Sequence, residues 1–166
     1  MVVFDASILL FLFDENTPSS VPKAKERVEY LIDRLAEAGE KIIIPTPVLS
    51  ECLVYAGDAM SEYHAIIRKH SCFRIVSFDV RAAVEVAISI SQAIKQGQRK
   101  GGDPGSRKAE IKFDRQIVAI ATIERAAAIY SDDSHVLGYA RKAGMDAYQL
   151  SDLPLPPEDP QGNLDV

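Results

Sequence analysis

Short apolar runs alternate with longer stretches of helical periodicity along this chain. Ile42–Ile44 and Phe73–Val76 are brief apolar runs, which predicts strands. Val21–Ala38 repeats apolar residues at helical spacing and stops at Gly39, which predicts an amphipathic helix. Strands that alternate with helices favour a mostly parallel sheet covered on both faces. The predicted fold is therefore a three-layer α/β/α sandwich.

The same pattern predicts the remaining elements and the domain limits. Further strands are predicted at 1–4, 128–131 and 146–148. Six further helices are predicted. Three follow a capping residue: 8–13 after Ser7, a helix that begins after Thr46 and carries Glu51, and a helix from Asp79 to 96. The others are 58–70, 134–143 and 111–128, the last of which is nearly all apolar and therefore expected to be buried. Residues 1–150 are expected to form one domain, followed by a proline-rich acidic tail at 151–166.

Composition places the chain among ordinary globular proteins. It has 166 residues, 47% of them hydrophobic and 26% charged, which is enough for a real core. The net charge of −5 counts mildly against a nucleic-acid partner, although basic residues concentrate between Lys95 and Lys112.

Two further sequence features bear on the compartment. Cys52 and Cys72 have no metal or redox spacing, which is typical of reduced residues in a cytoplasmic protein. The first residues lack a basic segment, and Asp5 interrupts their apolar run, so neither a signal peptide nor a membrane span is expected.

Acidic residues stand at the predicted strand ends and helix starts. They are Asp5, Glu51, Asp114 and the pair Asp132–Asp133. Each alone has an ordinary explanation, as a helix cap, a solvated glutamate or a charge favoured by a helix dipole. Together they would meet at one edge of a parallel sheet, where ligands bind. A carboxylate cluster without matching cysteines or histidines indicates Mg²⁺ or Mn²⁺, and hence phosphate chemistry.

Four segments carrying these acids resemble the PIN-domain family of nucleases, especially the toxin ribonucleases of the VapC type. The segments are VVFDAS, PTPVLSE, KFDRQIVAIA and IYSDDSHV, in the order and spacing of the family. The resemblance covers about residues 1 to 150. It implies an α/β/α sandwich and a Mg²⁺- or Mn²⁺-dependent ribonuclease.

The resemblance also implies roles for individual residues. Asp5, Glu51 and Asp114 match the first three acids of the family, which are catalytic and bind metal. Ser131 matches the hydroxyl residue two positions before the fourth acid, which favours Asp133, while Asp132 stays open as a competing ligand. Ser7 matches a small polar residue that hydrogen-bonds a carboxylate or a metal-bound water.

Elementary electrostatics agrees with this assignment. Clustered carboxylates raise one another's pKa, and a divalent cation relieves the repulsion. One or two such ions can activate water and stabilise the charge on a scissile phosphate. No histidine is needed as a base, and His135 is interpreted as a surface residue of a helix.

A glycine-rich basic loop is predicted at 97–108, immediately before the helix that carries Asp114. Its cationic side chains would contact RNA phosphates. They are Arg99, Lys100, Arg107 and Lys108. The alternative is an ordinary solvated loop.

The resemblance further implies a toxin with a cognate antitoxin, commonly as a homodimer. One alternative is a catalytically inactive PIN-fold module that binds RNA or acts as a scaffold. Another is a phosphatase of the haloacid-dehalogenase type, but that chemistry needs a second aspartate two residues after Asp5, where this chain has Ser7.

Overall fold

A five-stranded parallel sheet forms the centre of the fold. The computed structural model of the protein describes residues 1–14, 17–96 and 108–157, without the side chains of 108–112. Its strands lie in the order β3-β2-β1-β4-β5, and all neighbours are parallel. The strands are β1 (Val2–Phe4), β2 (Ile42–Pro45), β3 (Phe73–Val76), β4 (Ala128–Tyr130) and β5 (Asp146–Tyr148).

Helices connect the strands and cover the sheet. They are α1 (Ala6–Leu9), α2 (Ala24–Glu37), α3 (Thr46–Ala56), α4 (Met60–Lys69), α5 (Val80–Lys95), α6 (Lys108–Ile123) and α7 (Ser134–Lys142). Short 3-10 turns lie at Leu10–Leu12, Gly57–Ala59 and Leu150–Asp152. The predicted α/β/α sandwich is confirmed. Within the described ranges, no helix is long and apolar enough to cross a membrane.

The central strands form the core because both of their faces are covered. Phe4 of β1, Ile43 of β2 and Ile129 of β4 are fully buried. A parallel sheet packed on both faces needs such continuous apolar runs rather than alternation. Burial of each of these side chains contributes about 1.5–3 kcal/mol.

The sheet order positions the candidate chemistry at one edge. The chain moves outward from β1 through β2 to β3, and then returns to the other side of β1 with β4. Phe4 pairs with Tyr130, and the Asp5 amide donates a 3.0 Å hydrogen bond to the Tyr130 carbonyl. The carboxyl ends of β1 and β4 therefore flank the point where the strand order reverses, where open sheets form a crevice.

Two predicted helix caps are wrong. Helix α1 begins at Ala6 after Asp5, so Ser7 lies inside the helix and its hydroxyl is free to serve the site. Helix α3 begins at Thr46 after Pro45, and the Thr46 hydroxyl accepts a hydrogen bond from the Phe78 amide instead of capping the helix. Backbone amides of distant segments, those of Asp132 and Phe78, donate to these two hydroxyls, which local spacing does not reveal.

Two helix boundaries differ from the prediction because single non-glycine residues adopt left-handed conformations. Lys23, with φ of 55°, delays the start of α2 to Ala24. Arg125, also with φ of 55°, follows the end of α6, and the Ala126 amide donates to the Ala121 carbonyl. Such residues carry no glycine signal, so the apolar pattern extends too far.

Candidate metal centre

Asp5 is the buried acid at the carboxyl end of β1. The hydroxyls of Ser131 and Ser7 both donate to Asp5 Oδ2, at 2.6 and 3.0 Å. Burial raises the pKa of Asp5 above its usual value, and the hydrogen bonds from Ser131, the Ala6 amide and Ser7 oppose that rise. The two serines thus hold this carboxylate in one orientation.

A second layer of hydrogen bonds connects Asp5 to the turn after β4. The Asp132 amide donates to Ser7 Oγ at 2.9 Å, and the Asp133 amide donates to Ser131 Oγ at 2.9 Å. Each serine hydroxyl therefore donates to Asp5 and accepts from this turn. The serines fix the position of Asp133 relative to Asp5.

The neighbouring Asp132 and Asp133 have different environments. Asp132 Oδ1 accepts a 2.8 Å hydrogen bond from the Leu150 amide, so its carboxylate holds the turn after β5. Asp133 Oδ1 caps α7 by accepting from the His135 amide at 2.7 Å and from the Val136 amide at 3.4 Å. Asp133 also lies close to Asp114 and His135. One carboxylate oxygen of each acid and one ring nitrogen of His135 are all within 4.8 Å of one another.

Asp114 is a buried acid on α6. The residue is 6% exposed, and its buried Oδ2 atom has no hydrogen-bond partner among the described residues. Burial, together with the charges of Asp133 and Asp5 and against the opposing effect of His135, raises the pKa of Asp114 to about 6. A buried carboxylate oxygen without a partner is costly, and a cation, a proton or an ordered water would satisfy this atom.

Glu51 lies on α3 and is exposed. Partial burial raises its pKa above the usual value, as do the charges of Asp5 and Asp133. Its carboxylate therefore lies within electrostatic reach of Asp5 and Asp133. Asp5, Glu51, Asp114 and Asp133 are called the acid cluster below.

The acid cluster fits a hard divalent cation. Its donors are carboxylate oxygens, which Mg²⁺ and Mn²⁺ prefer, and Asp114 supplies a buried oxygen that no other group in the described part of the chain hydrogen-bonds. The raised pKa values of Asp5, Glu51 and Asp114 show like-charge repulsion and burial that a bound cation would offset. The roles of these residues as ligands stay predictions.

His135 is the residue of this region that the sequence interpretation undervalued. Its Nδ1 atom lies 3.6 Å from Asp133 Oδ1, and its side chain is 36% exposed. The available signal was its place two residues after Asp133 at a helix start. A lone histidine at such a place is usually solvated, so spacing alone did not single it out.

The described part of the structure does not test the contacts predicted between basic residues and RNA. Arg99, Lys100 and Arg107 lie outside the described residues. Lys108 is the first residue of α6, and its side chain is not described. Along the helix axis its backbone lies about 9 Å from that of Asp114, at 1.5 Å per residue.

Comparison with known proteins identifies the fold. No protein-family model matches the sequence, and no curated protein matches it. One chain in the structure of VapBC2 from Rickettsia felis bound to a promoter DNA fragment superimposes with a TM-score of 0.61 and 14% identity, covering 90% of this chain and 98% of that one. The chain has a VapC-like PIN fold.

Two other solved structures share this PIN fold. DNA-bound VapBC from Salmonella typhimurium matches with a TM-score of 0.58 and 15% identity, over 90% of this chain and 97% of that chain. FitAB bound to the IR36 DNA fragment matches with a TM-score of 0.63 and 17% identity, over 93% and 98%. At these identities the likeness concerns the fold.

Proposed function

We propose that this chain is a metal-dependent endoribonuclease that hydrolyses RNA phosphodiester bonds. The observation that carries the proposal is the acid cluster where the strand order of a PIN fold reverses, with an Asp114 Oδ2 atom that is buried and without a hydrogen bond from any described residue. The Asp5 carboxylate is held in place by Ser7 and Ser131, as a preorganised ligand would be. Ser7 also stands where a haloacid-dehalogenase-type phosphatase needs its second aspartate.

In the proposed reaction, some side chains would bind the metal ion and others would orient those ligands. Asp5, Asp114 and Asp133 would hold Mg²⁺ or Mn²⁺, and Glu51 would complete the site from the solvent side. A bound cation would supply water activation and charge stabilisation at the phosphate. Ser131 and Ser7 orient Asp5, so that its carboxylate needs little reorganisation when substrate arrives.

We assign contact with RNA to the basic residues that precede α6 and to Lys108, its first residue. Arg99, Lys100, Arg107 and Lys108 would neutralise backbone phosphates on either side of the scissile bond. Because Lys108 is the first residue of α6, it lies six residues, or roughly 9 Å, before Asp114 along the helix axis. Such contacts would give affinity that falls with salt and carry no base specificity.

We further infer that the nuclease is the toxin of a type II toxin–antitoxin pair and acts in the cytoplasm. The support is the shared fold with chains of the DNA-bound VapBC and FitAB structures. A cognate antitoxin would cover the acid cluster until it is released. If a small protein is encoded next to this chain, the pair purified after co-expression should have lost the ribonuclease activity of the isolated chain.

A homodimer is supported by an exposed apolar stripe on α5. Val80, Val84 and Ile88 are 80%, 54% and 46% exposed, and their spacing of four residues places them on one helix face. A second copy would bury this stripe. Val84→Glu should shift the purified protein from dimer to monomer in sedimentation, while Glu85→Gln on the same helix should not.

Cleavage of a mixed RNA pool tests the proposed activity. Asp5→Asn keeps an oxygen that can accept from Ser131 and Ser7 but removes the charge, so the variant should fold and lose cleavage in Mg²⁺ or Mn²⁺. Glu62→Gln on α4 is the matched control, because Glu62 is an exposed glutamate of another helix. Equal cleavage by wild type and Asp5→Asn would overturn the proposal. RNA binding without cleavage by either would favour an inactive RNA-binding or scaffold module.

A further inference from the structure

His135 lies within the acid cluster rather than on a remote surface. One ring nitrogen of His135 and one oxygen each of Asp114 and Asp133 all lie within 4.8 Å of one another. His135 also acts on Asp114 electrostatically, since it opposes the rise in the pKa of that acid. The imidazole therefore faces the two carboxylates that the proposed cation would join.

The backbone holds His135 in this place. Asp133 Oδ1 accepts from the His135 amide at 2.7 Å, which fixes the first turn of α7 against the Asp133 carboxylate. His135 Nδ1 is 3.6 Å from the same oxygen, longer than a normal hydrogen bond. Among the described residues, no hydrogen bond is recorded for Asp133 Oδ2, so this oxygen remains for another ligand.

We infer that His135 supplies a nitrogen ligand to the cation of the proposed nuclease site, beside Asp114 and Asp133. The inference rests on the proposed function, because it concerns the same cation. Two atoms that each bind one ion at about 2.1 Å are at most about 4.2 Å apart. The observed limit of 4.8 Å thus needs a contraction of well under one ångström, which the half-exposed imidazole can provide by a small rotation.

A nitrogen ligand changes which cation the site prefers. Mg²⁺ takes oxygen ligands almost exclusively, whereas imidazole suits transition metals, and affinity rises from Mn²⁺ towards later members of the series. With His135 bound, the site should select Mn²⁺ over Mg²⁺ more strongly than four carboxylates alone. His135 would then determine metal specificity, which the acids by themselves do not.

Pulsed electron paramagnetic resonance of bound Mn²⁺ tests this directly, because it detects ¹⁴N nuclei coordinated to the ion. Tag-free wild type with Mn²⁺ should show ¹⁴N modulation, and His135→Gln should lose it. The double variant His64→Gln/His70→Gln should keep it, since both of those histidines are exposed and lie at α4, away from α7. By calorimetry, His135→Gln should weaken Mn²⁺ binding about tenfold or more and leave Mg²⁺ binding nearly unchanged.

The outcomes separate this inference from the proposed function. If Mn²⁺ binds to wild type without ¹⁴N modulation, or if the modulation survives in His135→Gln, then His135 is not a ligand. The proposed carboxylate site and the ribonuclease activity would still stand in that case. If wild type binds no Mn²⁺ at all, both the inference and the metal-dependent function fall.

Discussion

Ser131 donates a 2.6 Å hydrogen bond to Asp5 across 126 positions of sequence. The same hydroxyl accepts from the Asp133 amide at 2.9 Å. One small side chain just after β4 therefore sets the distance between two candidate metal ligands that follow neighbouring strands. The candidate metal centre depends on this contact as much as on the acids themselves.

Removal of the Ser131 hydroxyl should destabilise the protein. Ser131→Ala leaves the buried Asp5 carboxylate without its shortest hydrogen bond and the Asp133 amide without its acceptor, at a cost of about 1–3 kcal/mol. Urea unfolding in the presence of a chelator measures this loss. Ser131→Thr keeps the hydroxyl and should lose less. An alanine variant as stable as wild type would contradict the proposed support.

The metal-free protein should lose stability as its acids ionise. Burial raises the pKa of Asp114 from 3.8 to about 6 in the folded state. Between these values the folded protein holds a proton that the unfolded chain has released, so the free energy of unfolding falls as pH rises through this window. The shift corresponds to about 3 kcal/mol at most.

Urea unfolding at a series of pH values, with and without Mn²⁺, measures this dependence. Asp114→Asn should flatten the decline between about pH 4 and about pH 6 and stabilise the metal-free protein above that range. Saturating Mn²⁺ should remove the decline in wild type, because the cation favours the ionised acids. The same pH slope in Asp114→Asn and wild type would show that Asp114 does not titrate in this window.

Asp132 and Asp133 should respond differently to the same substitution. Asp133→Asn keeps an oxygen to cap α7 but loses its charge, so it should remain folded and lose Mn²⁺ affinity by more than about tenfold. Asp132→Asn keeps the bond to the Leu150 amide and should bind Mn²⁺ as wild type does. Calorimetric titration compares the two. A larger loss in Asp132→Asn would reverse the assignment of the fourth acid.

Glu51 should contribute to the site and little to stability. It is exposed, and no hydrogen bond to its side chain is recorded among the described residues, so Glu51→Gln should unfold at the same urea concentration as wild type or a slightly higher one. Ribonuclease activity in Mg²⁺ or Mn²⁺ should nevertheless fall sharply. Glu62→Gln, on the exposed face of α4, is the control for both measurements. Full activity in Glu51→Gln would remove Glu51 from the proposed machinery.

Strong periodic signals made most elements predictable. The strands Phe73–Val76 and Asp146–Tyr148 have the predicted bounds, and Gly39 ends α2 as expected, with φ of 69°. Errors arose where a single residue adopts an unusual conformation, as Arg125 does, or where a distant group recruits a hydroxyl, as at Thr46. Neither effect leaves a local trace in composition or spacing.

The sequence by itself determined the alternation of elements, the parallel sheet and the candidate acids, because apolar periodicity and strand ends are local properties. Only the tertiary structure separated Asp132, which binds the Leu150 amide, from Asp133, which faces Asp114. It also brought His135 into the acid cluster and made Ser7 a partner of Asp5. The physical reason is that adjacent residues in a turn point in different directions, and only the packed chain fixes what each one meets.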